Sequence, residues 1–154
     1  NAVLSMLLYL QSEDEKKPMQ IYFAVPGASM KPALALYDTI GEVKSRGCKV
    51  TTVCYSLCSG MAVLLAASGT KGRRLCTPHA SFRLSISGVE GSLQGQAEDI
   101  HVETSQMLRD MDRVEKEFSA ITGQRIEKIR KDFRRDFYLS PAMAVKYGLI
   151  DTIL

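Results

Sequence analysis

Imidazole is scarce in this chain: His79 and His101 are the only histidines in 154 residues. Chemistry that needs a nitrogen base near ambient pKa has two places to find one. Charge of one sign is not in excess either. The formal charge is +3, too small to argue for nucleic acid. No basic run is interleaved with aromatic residues as a base-stacking surface would require. Apolar runs reach about ten residues, half of the roughly 20 that span a bilayer. No signal-peptide pattern is present, and a chain that starts at Asn1 is expected to be an ordered piece of a longer precursor. Cysteine is sparse: Cys48, Cys54, Cys58 and Cys76 lie in or beside apolar segments. Cys54 and Cys58 are spaced C-x3-C, but no second pair or histidine cluster follows at metal-ligand spacing. Buried reduced thiols are expected, and no metal or cofactor is implied. There are no internal repeats.

What is present suits one domain over residues 1–154 with a core of ordinary size. Its centre is Cys54–Arg74, CYSLCSGMAVLLAASGTKGRR. An apolar strand (Lys49–Tyr55) runs through a small-residue turn into a short apolar helix. Such a turn sets one side chain at a helix N-terminus, where a developing negative charge is favoured. Before it, Ala2–Leu10 is apolar nearly all round and is expected to be a helix buried on most of its surface. Gln20–Val25 reads as a strand buried on both faces, and Pro32–Ser45 as a helix. Strand, helix, strand, helix at this spacing implies an α/β fold with a parallel crossover.

Beyond the centre, Arg73–Cys76 and Ser81–Ile86 read as extended. Gln94–Ile121 is the longest helical stretch, with a narrow apolar stripe of Ile100, Met107, Met111, Val114, Phe118 and Ile121. Such a stripe suits packing on another helix, that of a second subunit included; covering its own sheet fits the pattern equally well. Arg125–Phe133 reads as a basic helix, Pro141–Tyr147 as a short helix, and Leu149–Ile153 as a last strand.

Several blocks together resemble one family. They are PGAS with LALYDTI (Pro26–Ser29, Leu34–Ile40), LLAASGTKGRRLCTPHAS (Leu64–Ser81), QGQAEDI (Gln94–Ile100), TGQRIEKI (Thr122–Ile129) and RRDFYLSPAMAVKYGLIDTIL (Arg134–Leu154). In this order they resemble the proteolytic subunit of the Clp protease. The resemblance implies the fold shared with crotonase, a ββα-type α/β fold with a long protruding handle helix, the handle covering about 82–121.

The resemblance also locates a serine-peptidase triad, and two of its members are missing. The family's nucleophile lies six residues after the match to Cys54 and eleven before the match to Lys71, and both counts land on Gly60. Ser59 is the rival nucleophile, at the cost of a one-residue shift that would turn the side chain by ~100°. Cys58 is beside the position and also lacks a base. Counting from Arg74 puts the family's histidine at Ser85; counting back from Gln94 puts it at Ser87. His79 and His101 fall elsewhere and are expected to face solvent or serve structure. Asp136 matches the third member and is expected to pair with Arg134 or Arg135, or to accept backbone hydrogen bonds. The oxyanion-hole matches are Ala28, where the family has glycine, and Met61.

These departures resemble the non-catalytic R-type paralogues of plastids and cyanobacteria. What that implies is a structural subunit of a mixed Clp core, made of two stacked seven-membered rings with catalytic paralogues and an ATP-driven unfoldase as partners. The stacking contact would use the long helix, with Met107, Met111, Val114 and Phe118, the strand before it (roughly Phe82–Leu93), and Arg134 and Arg135. The implied location is the plastid stroma, chloroplast or apicoplast, with the cyanobacterial cytoplasm as the alternative. Rival readings are an active serine endopeptidase using Ser59, and a crotonase-type acyl-CoA enzyme.

Overall fold

The computed structural model describes residues 2–85 and 95–154. Two strands rich in apolar and β-branched residues, β1 (Met19–Phe23) and β2 (Val50–Cys54), flank helix α2 (Met30–Ser45). They pair in parallel, from Met19 opposite Val50 to Phe23 opposite Cys54. Strands β4 (Arg74–Cys76) and β7 (Thr152–Ile153) extend this sheet in the order β1-β2-β4-β7, again in parallel. All five residues of β2 are buried, as expected of a central parallel strand. Strand β1 departs from expectation. It lies at the sheet edge, and Gln20 and Tyr22 face outward while Met19 and Phe23 are buried. The apolar run did not distinguish a covered strand from one whose outer face is open.

A second sheet of three short strands was not legible as such. It has the order β3-β5-β6, with β3 (Leu57–Ser59) parallel to β5 (Ser81–Leu84) and β6 (Phe137–Leu139) antiparallel to it. The expected small-residue turn after β2 thus contains a strand. Between the sheets' first strands and β4 runs helix α3 (Met61–Ala67), every residue of which is buried. Its Met-Ala-Val-Leu-Leu-Ala-Ala sequence has no polar face to turn toward water.

The remaining helices wrap this core. Helix α4 (Ala97–Thr122) ends at left-handed Gly123, and α5 (Ile126–Phe133) folds back on it. The Ser140 hydroxyl accepts from Met143 N–H and opens α6 (Pro141–Tyr147), whose proline has no N–H to leave unpaired. Gly148 closes α6 with φ 95°, and a Cβ there would come 2.5 Å from the Thr122 carbonyl oxygen. Glycine is therefore what lets the ends of α4 and α6 meet. The first helix, α1 (Ala2–Glu13), corrects the expectation of broad burial: Leu7 and Gln11 are buried and Leu4 partly so, while Met6 and Tyr9 are 65% and 60% exposed. An apolar circumference shows which faces could be buried, not how many have a partner. Among the described residues no helix is long and apolar enough to cross a membrane.

Candidate functional site

The two sheets meet at a sharp turn. After β2, Ser56 takes a left-handed φ of 55°, β3 runs three residues, and Gly60 follows with φ 59° and ψ −125°. Side-chain-bearing residues rarely adopt this conformation, which strand-to-helix turns use to hold a nucleophile above a sheet. Here the residue is glycine, so the geometry carries no reactive atom. Gly60 N–H donates to the Arg83 carbonyl at 3.0 Å, and Ser59 N–H to that of Val25 at 3.2 Å. The second bond ties β3 to the segment leading into Pro26-Gly27-Ala28. The oxyanion-hole matches Ala28 and Met61 are thereby carried on two segments that converge at this turn.

Ser59 is only 1% exposed. Its hydroxyl accepts from Arg83 Nε at 2.7 Å. Arg83 lies opposite Ser59 in the β3–β5 ladder and opposite Tyr138 in the β5–β6 ladder. From there its Nη1 reaches Asp136 Oδ2 at 3.8 Å. A guanidinium thus joins Ser59 to Asp136, as an imidazole would join serine to aspartate in a working triad. The likeness is geometric only. Arginine keeps its proton at any ordinary pH and accepts none, so it cannot act as a base toward a hydroxyl.

This corrects the expected partner of Asp136. The carboxylate pairs with Arg83, and no ion pair of Arg134 or Arg135 occurs among the described residues. Arg83 was missed from the sequence because its meaning depends on cross-strand register, which a lone arginine in a four-residue strand does not disclose. Ser85 follows β5 and is half-buried; Ser87 lies outside the described residues. Both histidines are exposed, and neither hydrogen-bonds to Ser59 or Asp136. Cys58 is fully buried, so no substrate reaches its sulfur. A hydrogen bond between the two thiols, more than burial, pushes Cys54 up, and the same bond pulls Cys58 down. Among the described residues no group of three His, Cys, Asp or Glu side chains could hold a metal ion.

The long helix divides into two halves. Val114 and Phe118 are 1% and 2% exposed, and Phe118 meets Phe133 edge-to-face at 4.9 Å. They belong to the chain's own core, which corrects their assignment to a subunit contact: α5 folds back and its Phe133 meets Phe118. Met107 and Met111 are partly buried, and Val102 and Leu108 are exposed at 65% and 57%. The charges flanking the stripe are also used internally. Arg130 of α5 bonds Asp112 at 2.7 Å and Glu115 at 2.8 Å, and Lys116 bonds Asp112 at 2.6 Å.

The family model for Clp protease matches residues 1–154, the whole chain. The chain belongs to the Clp protease family. Among its relatives is ATP-dependent Clp protease proteolytic subunit 2 of Prochlorococcus marinus (strain MIT 9313), 42% identical over all of this chain and 75% of the relative. Proteolytic subunit 3 of Synechococcus sp. (strain CC9605) is 40% identical over the same shares. So is proteolytic subunit 3 of Parasynechococcus marenigrum (strain WH8102). The expected α/β fold of Clp proteolytic subunits agrees with the observed sheets, and α4 is the long helix expected of the handle. The relatives are numbered cyanobacterial paralogues, in keeping with resemblance to the R-type branch.

Proposed function

We propose that this Clp family member is a non-catalytic subunit of a mixed Clp core. It supplies wall and contacts to seven-membered stacked rings while neighbouring paralogues cut peptide bonds and an ATP-driven unfoldase feeds them. The observation that carries this reading is the turn at Gly60: the strained backbone of a nucleophile position, with no side chain on it. Arg83 supports it, because the serine next door is buried and hydrogen-bonded to a group that cannot take its proton. Loss of a single triad member commonly leaves a serine peptidase ~10⁴-fold or more below the intact enzyme. Here the positions of both nucleophile and base are held by other residues. Residues 1–154 act as one domain, and Met107 and Met111 with Arg134 and Arg135 form the remaining contact set toward the other ring. Similarity to cyanobacterial subunits supports a cyanobacterial cytoplasm or a plastid stroma as its place of work.

The test is a fluorophosphonate probe and a fluorogenic peptide applied to the purified subunit and to its complex with active paralogues. No label on this chain is expected in either sample, while the paralogues label and cleave. Gly60→Ser alone is expected to remain inactive, since the new hydroxyl still lacks an imidazole. Labelling at Ser59, or hydrolysis by the purified chain or by Gly60→Ser, overturns the reading. Binding of coenzyme A would revive an acyl-CoA function.

A further inference from the structure

Away from the turn, a cavity of about 420 Å³ opens between α2, the loop after α3 and the last turn of α4. Tyr37, Gly41 and Lys44 line it from α2, Lys71 and Arg74 from the loop and β4, and Ile121 from α4. Its volume lies within the usual range for small-molecule sites. We propose that this cavity binds a small phosphate-bearing anion through Lys44 and Lys71.

The charges in the wall carry the inference. Arg74 is already neutralised: its Nε and Nη2 bond Asp151 at 2.9 and 2.7 Å, and its Nη1 bonds the Gly148 carbonyl at 2.8 Å. Lys44 has no such partner. Its ammonium is half-buried and donates to a single backbone carbonyl, that of Ser68, at 2.8 Å. Burial, then the nearby Arg74 charge, pulls its pKa below the ordinary lysine value. Lys71 has no hydrogen bond or ion pair among the described residues. The one carboxylate in the lining, Asp38, is exposed, and the Tyr37 hydroxyl is spent on Glu117 at 2.7 Å. A half-buried cation without an anion is the costly arrangement that buried charges normally avoid.

Gly41 is an independent sign. It stands inside a sixteen-residue helix, where glycine is disfavoured relative to alanine. A Cβ added there would meet nothing within 4 Å, so the chain's own packing does not demand glycine. Its missing side chain does leave the cavity wall open beside Lys44, one turn of helix away. The ligand class follows from the donors. The planar arginine fork, which suits carboxylates, is consumed by Asp151, and the other cations lining the cavity are two point-charge lysines, half-buried Lys44 and exposed Lys71. Two such charges match a tetrahedral dianion.

The experiment titrates the full-length protein with inorganic phosphate, adenosine monophosphate and succinate by calorimetry at constant ionic strength. Resonances of ¹³C-labelled lysine side chains are followed in parallel. Expected are saturable binding of phosphate or of its ester, a Lys44 titration moved upward in the bound state, and little response to succinate. A tighter ester identifies an organic phosphate as the ligand; equal affinities identify the free ion. Lys44→Met should weaken binding by roughly tenfold, the loss of one charge-assisted contact. Gly41→Gln should weaken it comparably while preserving or raising the melting temperature, which separates a filled cavity from a misfolded chain. Binding that does not saturate, that survives both substitutions, or that leaves Lys44 unmoved overturns the proposal. So does succinate binding as tightly as phosphate.

Discussion

Two arginine–carboxylate pairs in this subunit resemble each other chemically and differ in nearly everything else. Arg74 and Asp151 join β4 to the residue before β7, with side chains 7% and 18% exposed. Asp151 also accepts from the backbone N–H groups of Gly72 and Arg74, at 2.7 and 3.1 Å. Arg83 and Asp136 are 32% and 59% exposed and 3.8 Å apart. The first pair is a sealed clasp whose remaining polar contacts are all to backbone groups, the second a loose bridge in water. The tight pair ties β4 to the residue that leads into β7. The loose pair lies beside the Gly60 turn, the site proposed above as a former nucleophile position.

Breaking the sealed clasp is expected to have the largest effect. Asp151→Ala leaves the Arg74 guanidinium buried without its anion and should cost about 3–5 kcal/mol, read from denaturant midpoints. The same pair predicts a pH dependence. Hydrogen bonding to Arg74 holds the Asp151 carboxyl below the ordinary carboxylate range, against the opposing effect of burial. A depressed folded-state pKa adds stability that is present above the unfolded value, near ~3.9, and is lost as pH falls through the folded one. Melting followed from neutral pH into that acid window should show a slope that Asp151→Asn flattens.

The handle admits the same comparison between a buried and an open part. Phe118→Ala removes a covered ring and should cost about 3–5 kcal/mol of the subunit's own stability. Met111→Glu, on the partly open stretch, should leave circular dichroism nearly unchanged and block entry into a full-size double ring when co-expressed with catalytic paralogues. A variant that still assembles would show that α4 stacks on nothing but its own chain. The smallest effect belongs to the loose bridge. Asp136→Asn should change stability by no more than about 1 kcal/mol, as exposed ion pairs do, with assembly measured by sizing. A loss as large as that of Asp151→Ala would erase the distinction between the two pairs.

Much of the fold was legible because periodicity is a local property. The runs Pro32–Ser45 and Pro141–Tyr147 announced helices, and α2 and α6 occupy nearly those spans. Strands β3 and β6 were not legible. Three residues carry no period, and each exists because β5 pairs with it. The stripe on α4 reads alike from Met107 to Phe118, yet its C-terminal half lies in the chain's own core and the rest is partly open. Periodicity identifies an apolar face but does not say which chain covers it.

At the candidate site, the proposed absences rest on the sequence and its family resemblance, without coordinates. Counting from Cys54 and from Lys71 reaches Gly60 from both sides, and a missing side chain needs no coordinates to be noticed. Tertiary structure decided what stands in the space instead. Ser59, Arg83 and Asp136 are separated by tens of residues and meet only because parallel pairing sets Arg83 beside Ser59, while antiparallel β6 returns Asp136 to the same end. A bond between distant residues depends on register, and register is set by the packing of whole strands rather than by the residues that use it.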